Sequence, residues 1–147
     1  TPNLTEAALL LGIPYEDLPA GESGCREIVE RLSLEGRRSV VLTGASLAPG
    51  QTGAVCFDAR TGQTQVVQTA YIAHEFHGTG DVFASVLTGA MLRGDSFPIA
   101  MARATRFVEL AIKTTFSYGT DTRYGVMFER CLGWLTHDEI LKGYKPL

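Results

Sequence analysis

Five residues, S-V-V-L-T from Ser39 to Thr43, place the tightest limit on what this chain can fold into. The run is short, β-branched and apolar at successive positions, so as a strand it offers an apolar side chain to both faces of its sheet. Such a strand has to be covered on both sides. Before it, from Glu22 to Glu35, Cys25, Ile28, Val29 and Leu32 recur at helical spacing and Gly36 ends the run. A helix followed by a buried strand predicts an α/β protein with a parallel sheet.

The remaining segments are read against that expectation. Thr5 to Leu11 is a short helical run, with Asn3 or Thr5 available as N-cap and Gly12 as its stop. Pro14 to Gly21 reads as a loop, and so does Gly44 to Gly53. Gly53–Asp58 and Gln63–Ala70 are strand-like and are joined by A-R-T-G, whose Gly62 suits a hairpin turn. An antiparallel hairpin at the edge of a parallel sheet is ordinary. Thr79 to Leu92 is helical and closes at Gly94. Asp95 or Ser96 then caps a long helix in which Phe97, Ala100, Met101, Ala104, Phe107, Val108, Ala111 and Ile112 hold the i, i+3, i+4, i+7 pattern. The tail starts as a glycine-punctuated loop and turns helical from about Val126 to Leu135.

Composition excludes several classes. At 147 residues and 45% apolar content the chain has the material for one domain, residues 1–147, with a genuine core. A net charge of −3 with interspersed signs offers no basic stripe for nucleic acid or an anionic membrane surface. No apolar stretch approaches the ~20 residues of a membrane span. Cys25, Cys56 and Cys131 are odd in number and widely spaced, which predicts reduced, buried thiols of a cytoplasmic protein. The opening T-P-N-L-T-E looks cut from something longer. Thr1 could be an N-terminal nucleophile, but Pro2 and the helix that follows argue against it.

The stretch H-G-T-G-D, His77 to Asp81, carries the chemistry. The first N–H groups of a helix lack internal acceptors, and the helix dipole adds partial positive charge there. Glycines let a ligand oxygen approach that backbone, so Gly78, Thr79 and Gly80 form a cradle for a phosphoryl group. Asp81, in the first turn, stands beside the cradle as a base for a hydroxyl placed next to the phosphate. This is what an alcohol kinase requires. The competing reading is a capping acid on a core helix, worth about 0.3–1 kcal/mol.

G-T-G-D followed by V-F-A-S-V-L-T-G-A, with S-V-V-L-T and T-P-N-L-T-E-A before it, resembles the C-terminal half of pyridoxal (pyridoxamine) kinases of the ribokinase-like superfamily; the tail D-T-R-Y-G-V-M-F-E is similar to the bacterial branch. The resemblance implies a partial ribokinase-like three-layer α/β/α fold, the C-terminal half of the sheet with an antiparallel hairpin. It implies ATP-dependent phosphorylation of the 5′-hydroxymethyl of a vitamin B6 vitamer, with Asp81 as base and Gly78, Thr79 and Gly80 as the anion hole for the γ-phosphate. Asn3 and Glu6 match the superfamily's N-x-x-E, which organises Mg²⁺ and the ATP phosphates, with Glu6 toward the metal. Thr43 matches a strand-end threonine that contacts phosphate. Where the family often continues with Ser, this chain has Gly44.

The alternatives are a hydroxymethylpyrimidine or sugar kinase of the same superfamily, or a non-catalytic nucleotide-binding fragment. Hydroxymethylpyrimidine kinases of the superfamily typically carry Cys where Asp81 stands, which favours the pyridoxal branch. Much of the vitamin pocket of the family lies in an N-terminal segment outside these residues, so the 147-residue chain alone is expected to be inactive. If the chain stands alone, its uncovered strand edge and helix faces predict a homodimer or higher assembly, or else a missing companion segment. Elsewhere, His74-Glu75-Phe76-His77 has i, i+3 spacing that does not match the zinc protease motif. Arg103 and Arg106 read as a solvated helix face, and Trp134, Phe128 and Leu132 as core.

Overall fold

A computed structural model describes residues 1–72, 76–136 and 144–146, and within it the chain forms two compact units. The first holds α1 (Leu4–Leu11), α2 (Gly21–Leu32), β1 (Val40–Thr43), β2 (Gln51–Asp58), β3 (Gln63–Ala70) and β4 (Tyr144–Pro146), with a 3₁₀ turn at Tyr15–Asp17. The second begins at Tyr71 and holds α3 (Thr79–Leu92), α4 (Phe97–Tyr118) and 3₁₀ segments at Thr122–Tyr124 and Phe128–Thr136.

In the first unit the sheet order is β1-β2-β3-β4. Every one of these pairings is antiparallel: Leu42 lies opposite Val55, Val55 opposite Val66, and Val66 opposite Lys145. The parallel sheet expected from the helix–strand order is therefore corrected. What parallel pairing the described residues show is a single bridge between Asn3 and Thr43, on the edge of β1 away from β2. The turn of the β2–β3 hairpin closes as expected, with Asp58 O accepting from Gly62 N at 2.8 Å and Asp58 Oδ1 accepting from Arg60 N at 3.0 Å.

Coverage of β1 on both faces is as the sequence requires. Val40 and Leu42 join Val55 and Val66 against Ala7, Cys25, Ile28, Val29 and Leu32 of the two helices. Val41, Ala54, Cys56 and Val67, which alternate with them, are also buried. Each such Leu, Ile or Val contributes about 1.5–3 kcal/mol by leaving water. The helix of this core stops three residues short of Glu35. Ser33 Oγ donates back to Glu30 O at 2.6 Å and accepts from Gly36 N, while Leu34 and Glu35 turn to positive φ.

In the second unit, α3 and α4 run over the residues their apolar spacing marks. The expected cap of α4 is divided between two residues. Ser96 is the N-cap but makes no side-chain bond there, and Asp95 is engaged elsewhere: its Oδ2 accepts from Arg103 Nε at 2.8 Å. Arg103 is only 5% exposed, so the solvated face expected of it is wrong, and half-buried Arg106 instead donates to Glu109 Oε2 at 2.8 Å. Phe76, Phe107, Ala111, Val126 and Cys131 form the core of this unit, with Trp134 against Phe107 at a ring separation of 6.3 Å. The tail is 3₁₀ rather than α-helical. It is fastened to α4 through buried Thr115, whose hydroxyl donates to Ala111 O and accepts from Met127 N at 2.8 Å.

The three cysteines are free and buried, as their spacing predicts. Burial, partly offset by the bond to Gln65, pushes the Cys56 thiol up to about 12, and burial together with Glu22 raises Cys25. A thiol held protonated by the fold stabilises the folded state fully below its unfolded pKa near 9, and that contribution is lost as pH rises through about 12. Native Cys56 is accordingly expected to resist iodoacetamide at pH 8 and to react only in denaturant, as peptide mass mapping would show. Rapid labelling of the native chain at Cys56 would contradict this burial.

Candidate functional site

The start of α3 is built to stay open. Gly78 is its N-cap and lies at φ +79°, a left-handed conformation that glycine adopts without steric cost. Having no side chain, it supplies no side-chain cap bond, and the first-turn N–H groups have no intrahelical acceptor. Thr79 is turned inward, its Oγ1 donating to Phe76 O at 3.3 Å. Gly80 lies inside the helix with φ outside the left-handed region, and a Cβ built on it meets nothing within 4 Å. The fold does not require a glycine there, although glycine costs a helix about 1 kcal/mol against alanine.

Asp81 is exposed, in the first turn, and its side faces a cleft of about 650 Å³ inside the second unit. Along α3 the cleft follows one stripe, with Val82, Ser85, Val86 and Gly89 after Asp81, and ends at Arg93. Phe107 and Arg103 of α4 form the far wall, and Tyr124, Val126 and Phe128 of the tail close it. The size is that of a small-molecule site, apolar with polar groups near its ends. Leu132, read as core, is 49% exposed and lines this cleft, whereas Trp134 does pack on the core.

The other three expected residues lie together in the first unit. Asn3 and Glu6 form a capping box on α1: Asn3 Oδ1 accepts from Glu6 N and Glu6 Oε2 accepts from Asn3 N, each at 2.9 Å. Thr43, at the end of β1, donates from N to Pro2 O at 2.9 Å and from Oγ1 to the same oxygen at 3.3 Å. Gly44 follows at φ +63°, which accounts for glycine where the resemblance leads one to expect serine. His74 and Glu75 of the rejected zinc reading lie outside the described residues; among those described, no cluster of three or more His, Cys, Asp or Glu could hold a metal.

Residues 1–125 match the family model of phosphomethylpyrimidine kinase. The chain belongs to that family. It is 34% identical over 113 residues to the thiamine biosynthesis bifunctional protein ThiED of Geobacter sulfurreducens, a match that covers 77% of this chain and 22% of that protein. A Bacteroides thetaiotaomicron protein bearing the phosphomethylpyrimidine kinase designation superposes with a TM-score of 0.90 at 32% identity, over 99% of this chain and 50% of its own, and was also solved with pyridoxal. Pyridoxal kinase of Lactobacillus plantarum does so with a TM-score of 0.77 at 31% identity, over 91% of this chain and 47% of its own. The fold recurs at 23% identity in a Leishmania donovani pyridoxal kinase solved with ADP and pyridoxamine, TM-score 0.80, over 99% of this chain and 50% of that one. The ribokinase-like α/β fold is thereby shown, and the chain spans about half the length of these solved family members. Among the described residues no helix is long and apolar enough to cross a membrane.

Motif reading singled out Gly78 to Asp81 but not the cleft beside them. Val82 and Val86 were legible only as core-type residues, and Tyr124 as part of a polar loop, because the cavity arises where three separate segments meet. For Gly80 the structure separates fold from function. Gly80→Ala is expected to raise the stability of the chain by about 0.5–1 kcal/mol in urea unfolding. A destabilised variant would show that the fold, not a ligand, requires the glycine.

Proposed function

We propose that this chain carries the phosphoryl-transfer machinery of an ATP-dependent kinase acting on the 5′-hydroxymethyl group of pyridoxal, pyridoxine or pyridoxamine. The observation that carries the reading is an exposed carboxylate, Asp81, in the first turn of a helix whose start is uncapped glycine backbone, at the mouth of an apolar cleft. In this reading the N–H groups of Gly78, Thr79 and Gly80 hold the γ-phosphate oxygens as charge builds on them. Asp81 accepts the hydroxyl proton while that oxygen forms its bond to the γ-phosphorus and the bond to the ADP oxygen breaks. Nucleotide use is supported by the ADP bound in a pyridoxal kinase of the same fold.

Asn3 and Thr43 would serve the nucleotide and Glu6 the Mg²⁺. The donor set fits that ion: Glu6 Oε2 is spent on the cap, leaving Oε1, and Mg²⁺ needs only one or two carboxylates because it keeps waters and takes substrate phosphates. When bound, the cation would offset phosphate charge.

The second reading replaces the vitamer with a hydroxymethylpyrimidine, and it is favoured by the family model and by the thiamine-biosynthesis relative. Both readings use the same base and cradle, so two measurements on the full-length polypeptide separate them. Asp81→Asn is expected to lower kcat about 10²–10⁴-fold with the fold intact, and turnover at the unmutated rate would dismiss the kinase assignment. In the unmutated protein kcat/KM is expected to be higher for pyridoxal than for hydroxymethylpyrimidine; the reverse order would move the substrate to the pyrimidine.

A further inference from the structure

The N-x-x-E pair is spent on the chain itself, and that limits what else it can do. Both Asn3 Oδ1 and Glu6 Oε2 are engaged at 2.9 Å by each other's backbone N–H. The helix they cap has eight residues, too few to be stable by propensity alone, and Leu9 and Leu10 on it are exposed. Its anchoring rests on buried Ala7 and Ala8, on Leu4 and Leu11 packed against the core, on the left-handed stop at Gly12, and on this cap.

The same cap residue is also a sheet residue. Asn3 has extended backbone, φ −83° and ψ 179°, and bridges Thr43 in parallel. Buried Pro2, just before it, gives its carbonyl to both the amide and the hydroxyl of Thr43. The capping box therefore fixes where the Pro2 carbonyl sits, and that carbonyl sets the rotamer of Thr43 and uses its single hydroxyl proton. A hydroxyl so engaged turns its lone pairs outward.

From this we infer that Asn3 and Glu6 act as a clasp, with Glu6 a positioning residue that orients Thr43 through Pro2 rather than serving only a cation. The value of that orientation to a nucleotide rests on the kinase reading above; the clasp itself does not. Glutamine keeps an acceptor for Asn3 N–H but drops the charge, whereas alanine drops both.

The test compares Glu6→Gln, Glu6→Ala and Asn3→Ala in the full-length polypeptide by thermal melting and by amide hydrogen exchange at Thr43, without nucleotide or metal. Glu6→Ala and Asn3→Ala are each expected to lower Tm by about 2–8 °C, to speed Thr43 exchange roughly tenfold, and to be less than additive when combined. Glu6→Gln is expected to restore both readouts to near the unmutated values. If Glu6→Gln behaves like Glu6→Ala, or if Thr43 exchange is unmoved by either alanine, the clasp is overturned. Loss of phosphorylation in Glu6→Gln with Tm and exchange restored would assign the charge to the cation and the acceptor to the clasp. Total inactivity of every form would leave the exchange result intact while removing the kinase reading.

Discussion

Unsatisfied N–H groups at a helix start are the constraint from which the rest of this molecule follows. The chain meets it in two opposite ways. At α1 the side chains of Asn3 and Glu6 satisfy the backbone reciprocally, and the helix start is closed. At α3 the N-cap is Gly78, no side chain intervenes, and the donors remain available to an anion from outside. A glycine at the N-cap forgoes a few tenths of a kcal/mol of capping, and Gly80 forgoes about 1 kcal/mol in propensity. Both losses fall within one turn, beside a cleft and an exposed carboxylate, which is what the kinase reading asks of this helix start.

The fold around these two helix starts was largely legible in the sequence, and its failures have physical causes. The hairpin strands, α3 and α4 carry strong period-2 or period-3.6 signals, and their observed bounds follow them closely. Strand direction carries no such signal. A strand that is apolar on both faces reports that it is covered, not which way its neighbour runs, so β1 could be read as buried but not as antiparallel to β2. Arg103 escaped for a related reason. Its position on α4 says nothing of Asp95, which lies before the helix begins and supplies the charge that makes burial tolerable.

The candidate site is legible where its proposed parts are contiguous. Gly78 to Asp81 form one turn, and the chemistry proposed for them rests on backbone geometry that a tetrapeptide can encode. The cleft beyond them joins α3, α4 and the tail, whose residues are separated by tens of positions and share no local pattern. Asn3 and Glu6 were read through a resemblance as metal-organising residues. The same spacing is also a capping box, since three residues is both the reach of an N-cap and the separation of the motif. The spacing of one tetrapeptide is thus compatible with two physical demands, of which the structure shows the cap.

Thr43 and Gly44 show how local backbone bears on the choice of ligand. With its hydroxyl proton on Pro2 O, Thr43 presents an acceptor, which suits a water or another donor better than a phosphate oxygen. Gly44 contributes no hydroxyl, and its left-handed φ of +63° would be strained for a residue carrying a side chain. In the kinase reading, this end of β1 would then meet the nucleotide through ordered water or through its peptide groups. Hydroxyl donation to phosphate would require Thr43 to release Pro2 first, so the strength of the α1 cap would set how readily Thr43 can change partners.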